Sequence, residues 1–86
     1  MDLLVVVEGV TDYDAWRKVF DEDEAERAKF AASMEAGPLD NNKVAIVAYG
    51  VDMEAMGAFM GTPEFAERTS SIQTGVNLYT LEALPQ

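Results

Sequence analysis

The sequence predicts an α+β domain in which one four-stranded antiparallel sheet carries its helices on a single face. Three observations lead there. Residues 3–8 (Leu-Leu-Val-Val-Val-Glu) and 43–49 (Lys-Val-Ala-Ile-Val-Ala-Tyr) are short, β-branched-rich and apolar on both alternating sets, so each reads as a strand needing cover on both faces. Apolar residues recur at helical spacing after each of these strands. The whole order is strand, helix, strand, strand, helix pair, strand.

The first strand places Leu3, Val5 and Val7 on one face and Leu4, Val6 and Glu8 on the other. After the turn Gly9-Val10, Thr11 followed by Asp14 resembles a capping box with Asp in place of Glu. Asp12 and Asp14 suit the positive end of a helix, and Ala15, Trp16, Val19 and Phe20 form its apolar stripe. The acidic run Asp21-Glu22-Asp23-Glu24-Ala25-Glu26 continues that helix to near Ala28. Phe30, Ala32, Met34 and Ala36 alternate with more polar neighbours as in a half-exposed strand, and residues 37–42 (Gly-Pro-Leu-Asp-Asn-Asn) form a hairpin loop. In the strand at 43–49, Val44, Ile46 and Ala48 share one face and Ala45, Val47 and Tyr49 the other.

Asp52 is an N-cap for a helix carrying Met56, Phe59 and Met60, which Gly57 and Gly61 weaken or end. Thr62 at N-cap and Pro63 at N1 restart a helix with the stripe Phe65, Ala66, Thr69 and Ile72. Residues 76–82 close the chain as a strand. A βαββαβ string is the ferredoxin-like split βαβ arrangement, and right-handed crossovers place both helical segments on the same side of its sheet. The other face is left bare, carrying Leu4/Val6 or Leu3/Val5 with counterparts from 43–49. A bare apolar face marks an interaction surface, and a two-fold copy of the chain is its simplest cover. Each buried Val or Leu contributes roughly 1.5–3 kcal/mol, so leaving about six of them exposed exceeds a small domain's stability margin. The expectation is a homodimer closed sheet to sheet into an α/β barrel.

At 86 residues the chain, 1–86, is expected to be one domain. Six basic against 16 acidic residues give a net charge of −10, which repels phosphate backbones and anionic lipid, so neither nucleic acid nor a membrane surface is an expected partner. With no Cys and no His, disulfides, thiolate zinc sites, His-ligated haem and Ser-His-Asp triads are excluded, and no metal or cofactor is expected. Met1-Asp2 and the short run after it do not form a signal peptide, so the chain reads as cytoplasmic.

The segment Asp12-Tyr13-Asp14-Ala15-Trp16-Arg17-Lys18-Val19-Phe20-Asp21 resembles the first-helix signature of small dimeric α/β-barrel proteins related to the antibiotic-biosynthesis monooxygenase superfamily. The resemblance continues through Asn41-Asn42-Lys43-Val44-Ala45-Ile46, the Asp-capped helix Asp52 to Phe59, the turn Thr62-Pro63-Glu64-Phe65 and Gly75-Val76. It implies a ferredoxin-like fold and a homodimer whose two sheets close a barrel. Such proteins often carry a His where this chain has Glu8, and the haem-degrading branch needs a His ligand that is absent here. The branch that oxidises polycyclic aromatics without metal or flavin draws on Asn, Trp, Tyr or Arg in its cavity.

Several residues merit a functional reading beside a structural one. Trp16 is either helix–sheet packing or a cavity wall that stacks on an aromatic ligand. Tyr49 either points its hydroxyl to water or hydrogen-bonds a ligand at the cavity mouth. Glu8 either reaches the solvated sheet edge or, if buried, serves as a general base. Asn77 and Tyr79 share one strand face and either line the cavity or sit at the dimer seam. Arg17 and Arg27 read as surface partners of nearby acids rather than as anion binders. The acidic run lacks the spacing and Gly of a calcium loop and reads as a solvated helical face, while Met53, Met56 and Met60 read as pliable core filling.

Three functions fit this pattern. The first is a homodimer that binds a small apolar or aromatic molecule or is purely structural. The second is a cofactor-independent monooxygenase or an isomerase, in which Glu8, Tyr49 or Asn77 assists proton transfer. The third is a regulatory module, which would need a domain to report to. A pocket of about 300 Å³ or more between sheet and helices favours ligand binding; packed side chains in that space favour the structural role.

Overall fold

A computed structural model describes residues 1–85 of the chain. Strand β1 (Leu3–Glu8) is central and pairs antiparallel with β3 (Lys43–Tyr49) on one side and β4 (Gly75–Thr80) on the other. Strand β2 (Ser33–Leu39) pairs antiparallel with β3, which gives the order β2-β3-β1-β4. Helices α1 (Tyr13–Glu22) and α2 (Glu24–Arg27) cross from β1 to β2; α3 (Met53–Met60) and α4 (Pro63–Thr69) cross from β3 to β4. This is the ferredoxin-like arrangement that the element order predicts.

Register decides which residues share a face. Leu3, Val5 and Val7 lie beside Ala48, Ile46 and Val44, and these six are buried beneath the helices with Trp16, Phe20, Phe30, Val51 and Met56. The opposite face carries Leu4, Val6 and Glu8 beside Val47, Ala45 and Lys43, then Tyr79 and Asn77 across β4, and Glu35 and Leu39 across β2. Leu4, Val6, Ala45 and Val47 are half-buried with no layer over them, while Leu39, Tyr49 and Tyr79 are exposed. The uncovered side therefore has an apolar centre and a polar rim.

Several local expectations are corrected. The N-cap of α1 is Asp12, not Thr11: the Asp12 carboxylate accepts from the Ala15 amide at 3.1 Å, and its backbone is extended. The acidic run does not continue one helix to Ala28. Asp23 closes α1 and starts the single turn α2, with its carboxylate turned inward onto Arg68 of α4. The second strand begins at Ser33, because Phe30 and Ala31 are buried in the preceding turn: the Phe30 ring packs 5.5 Å from Phe59 and its carbonyl accepts the Asp52 amide at 2.7 Å.

Gly37, Pro38 and Leu39 belong to β2 rather than to the hairpin loop. β2 is an edge strand, where a proline's missing donor is tolerated. The turn is only Asp40-Asn41-Asn42, and Asn41 (φ 63°) and Asn42 (φ 58°) take the left-handed conformation that Asn tolerates better than most side chains. β4 runs 75–80 rather than 76–82. Asp52 and Thr62 cap α3 and α4 as the sequence predicts, accepting from Ala55 at 3.1 Å and Phe65 at 3.2 Å. Met53 is 39% exposed rather than core filling, and Ala66 also faces solvent.

Candidate functional site

Between the sheet and the helices lies an apolar cleft. Its floor is Val5, Val7, Ile46, Met34 and Val76, and its cover comes from α1, α3, α4 and the turn after α4. The cavity holds about 80 Å³; counted outward to solvent, the empty space is about 620 Å³. The smaller figure compares with ligand pockets of about 300–1,000 Å³, so the cleft is neither filled nor of full ligand size.

Aromatic residues build its walls. Trp16 stacks on Phe20 (5.0 Å, 18°) and lies 6.1 Å from Tyr13, forming one ladder along α1. Phe59 bridges Phe30 (5.5 Å) and Phe65 (5.1 Å) on the opposite side. Helical spacing explains the first ladder, since positions 13, 16 and 20 project from one side of α1. Only tertiary packing produces the second.

Few polar groups reach the cleft. Trp16 donates its indole N–H to Gln73 Oε1 at 2.9 Å, tying α1 to the segment before β4. Thr69 is buried and donates to the Phe65 carbonyl at 2.8 Å. The buried Asp23 carboxylate accepts from Arg68, whose second nitrogen lies 3.8 Å from Glu22; the bond to Asp23 raises the Arg68 pKa above its ordinary value. Arg27 donates Nε–H to the Phe20 carbonyl at 3.1 Å and lies 3.7 Å over the Phe20 ring. Burial lowers its pKa, offset in part by Glu24, Asp21 and Asp23. Arg27 is therefore a wall of the cleft rather than a surface partner of acids. Arg17 keeps the surface role, pairing with Asp21 at 3.2 Å and donating to the Ala36 carbonyl at 2.8 Å.

The residues singled out from sequence are divided between two places. Of the candidate ligand-binding and catalytic residues only Trp16 lines the cleft, together with Arg27, Met56 and Met60, whose sequence readings are structural. Glu8, Asn77, Tyr79 and Tyr49 project from the uncovered sheet face, on the far side of the sheet from the cleft. There Asn77 Nδ2 donates to Glu8 Oε2 at 3.3 Å, and Lys43 Nζ lies 3.5 Å from Glu8 Oε1. Glu8 is thus half-buried but ion-paired. Tyr49 and Tyr79 lie near the same end of the sheet, 46% and 54% exposed. This geometry brings no Glu8, Tyr49 or Asn77 atom into the cleft.

The sequence does not single out Asp23 or Gln73 as site residues, and it presents Arg27 as a surface partner of acids. Charge patterning around positions 21–29 reads as a solvated face, and only the inward turn at Asp23 reveals otherwise. Among the described residues, no group of three acidic side chains converges to hold a metal ion, and no helix is long and apolar enough to cross a membrane.

No family model matches the sequence, and no curated protein matches it. Solved structures do. One, an antibiotic biosynthesis monooxygenase, superposes with a TM-score of 0.66 at 11% identity, covering 99% of this chain and 100% of the other. A second, SnoaB, a cofactor-independent oxygenase from Streptomyces nogalater, gives a TM-score of 0.62 at 18% identity, covering 99% and 98%. At such identities the likeness is one of backbone path. It extends across nearly the whole of each chain, and with the β2-β3-β1-β4 sheet it places this protein in the ferredoxin-like fold of the antibiotic biosynthesis monooxygenase structures.

Proposed function

We propose that the protein binds a small apolar or aromatic molecule in the cleft between sheet and helices, and does so as a homodimer joined through the uncovered sheet face. The cleft carries this reading. Interiors of small domains pack to crystal-like density, yet here about 80 Å³ stays open among Trp16, Phe20, Phe59, Phe65 and Met60. A larger guest requires the α3–α4 cover to move outward. Phenol, added to the wild-type protein, is expected to change Trp16 emission saturably and raise the melting temperature. Val76→Phe, which fills the floor, is expected to abolish both effects; a phenol response unaltered by that variant sinks the cleft reading.

The dimer follows from the other face. Four strands of about six residues span roughly 19 by 20 Å, less than the footprint of a standard protein interface, so residues beyond the sheet must add to the contact. Leu4, Val6, Ala45 and Val47 at its centre and Glu8, Lys43 and Asn77 at its rim have the anatomy of such a surface. A two-fold axis would bring the same patch onto itself, with the carboxylate of one copy able to meet the ammonium of the other. Light scattering is expected to give twice the chain mass, and Val6→Lys a folded monomer.

A second reading, turnover, is favoured by the likeness to an oxygenase that uses no cofactor. An aromatic substrate held in the cleft would supply its own electrons to O₂, a methylene becoming a carbonyl with release of one water. Oxygen uptake over a panel of anthrones and hydroquinones tests it; no uptake above the uncatalysed rate retires it.

A further inference from the structure

Five side chains that line the cleft carry a nitrogen or an oxygen: Trp16, Asp23, Arg27, Thr69 and Gln73. Each is engaged by its own neighbours. Trp16 donates to Gln73, Thr69 to the Phe65 carbonyl and Arg27 Nε to the Phe20 carbonyl, while Asp23 accepts from Arg68. Glu24, Asp21 and Asp23 also act on the Arg27 charge. Among the described residues no buried side-chain nitrogen or oxygen lacks a hydrogen-bond partner. The surface that the cleft turns to a guest is carbon and methionine sulfur almost throughout.

A hydroxyl or an amine carried into such a space leaves its bonds to water and finds none in exchange, and an ionised group loses more. A bare ring loses nothing of that kind and gains dispersion contacts. Two aromatic walls face it: Trp16 with Phe20, 5.0 Å apart, and Phe59 with Phe65, 5.1 Å apart. Ring pairs contribute beyond the area they bury. Met60, a thioether on a flexible stem, can fit its side chain to the guest. An apolar cavity of about 150 Å³ stays dry and takes benzene. The space of about 80 Å³ here limits the guest to one ring, admitted with outward movement of α3–α4.

We infer that the cleft is a hydrocarbon site, whose guest is a single neutral aromatic ring without a hydrogen-bonding group. The inference rests on the cleft-binding reading and adds the chemical class of the ligand to it. Phenol still enters by its ring, but a methyl group in the hydroxyl's place binds better. Polarity rather than size makes the selection, since the two substituents are close in volume.

Toluene and phenol are titrated into the full chain and followed by calorimetry and Trp16 emission. Transfer of the same pair from water into octanol and into cyclohexane is measured alongside. Octanol can hydrogen-bond a hydroxyl and cyclohexane cannot, so the two solvents separate a paired hydroxyl from a stranded one. The wild type is expected to prefer toluene by a factor that exceeds the octanol factor about fivefold or more. Val76→Thr keeps the shape of the floor and adds one hydroxyl to it, and is expected to cut that preference about threefold or more. A wild-type preference no larger than octanol's means that the guest hydroxyl finds a partner, which overturns the hydrocarbon site and leaves the cleft reading standing. A preference unaltered in folded Val76→Thr places its origin outside the cleft and overturns the inference as well. Binding of neither compound overturns both readings. If Val76→Thr fails to fold, the wild-type comparison with the two solvents decides alone.

Discussion

A methyl group placed on Gly9 would lie 2.2 Å from Thr74 Oγ1, because the turn leaving β1 runs directly against the side chain that leads into β4. Gly9 is also at φ 69°, in the left-handed region. Two penalties then fall on one substitution: about 1–2 kcal/mol for the backbone and about 1–3 kcal/mol for the steric overlap. Gly9→Ala is expected to lose at least about 2 kcal/mol in urea denaturation. Adding Thr74→Ala should restore only part of the steric loss, since Thr74 Cβ would still lie 2.9 Å from the new methyl; full restoration would mean the backbone is not held at that angle.

The N-terminus of α1 separates two adjacent residues cleanly. Asp12→Ala removes the acceptor of the Ala15 amide and is expected to cost about 1 kcal/mol, whereas Thr11→Ala should stay within about 0.5 kcal/mol. The reverse order in thermal denaturation would restore Thr11 as the cap.

Trp16 and Gln73 lie 57 positions apart and share one hydrogen bond at the cleft. Gln73→Leu strands the buried indole N–H, an expected loss of about 1–3 kcal/mol. Trp16→Phe should cost less in that background than in the wild type. A double-mutant cycle with no coupling between the two sites would contradict the bond.

Each copy of the chain carries −10, so pairing works against mutual repulsion. The Debye length falls from about 30 Å at 0.01 M salt to about 3 Å at 1 M, and the proposed dimer is expected to tighten over that range. Lys43→Glu, which places another negative charge beside Glu8, should weaken it further at low salt. Sedimentation velocity reads both effects, and dissociation on adding salt would point to an interface built on ion pairs instead.

Arg68 is exposed, but its partner Asp23 is not. Arg68→Ala should therefore lower the melting temperature more than Glu22→Ala, since only the former leaves a buried carboxylate without its counter-ion. Equal effects would show that Asp23 finds water when Arg68 is removed.

Much that depends on local pattern is readable in the chain. The spans of β1 and β3, the caps Asp52 and Thr62, and the stripe of Trp16 and Phe20 all follow from local pattern. Readings failed where a residue answers to a distant partner. Phe30 alternates like a strand residue but is held by Phe59, and Asp23 sits in an acidic run but turns inward to Arg68. The site divided for the same reason. Period two groups Asn77 with Tyr79 correctly, yet only sheet register places Asn77 beside Glu8, 69 positions away, and both on the side opposite Trp16. Arg27 was misread because its nearest acids in sequence are not its contacts in space; Phe20, seven positions back, is.

The two outer strands also differ in what they offer a passing chain. β2 carries Pro38, which has no amide hydrogen to give, whereas β4 presents Leu78 and Tyr79 along a margin without such an interruption. A protein able to recruit strands at only one border cannot be extended indefinitely, since lengthening a ribbon requires two competent ends. One proline on the far side of the sheet thus guards an acidic, half-greasy molecule against growing into fibres.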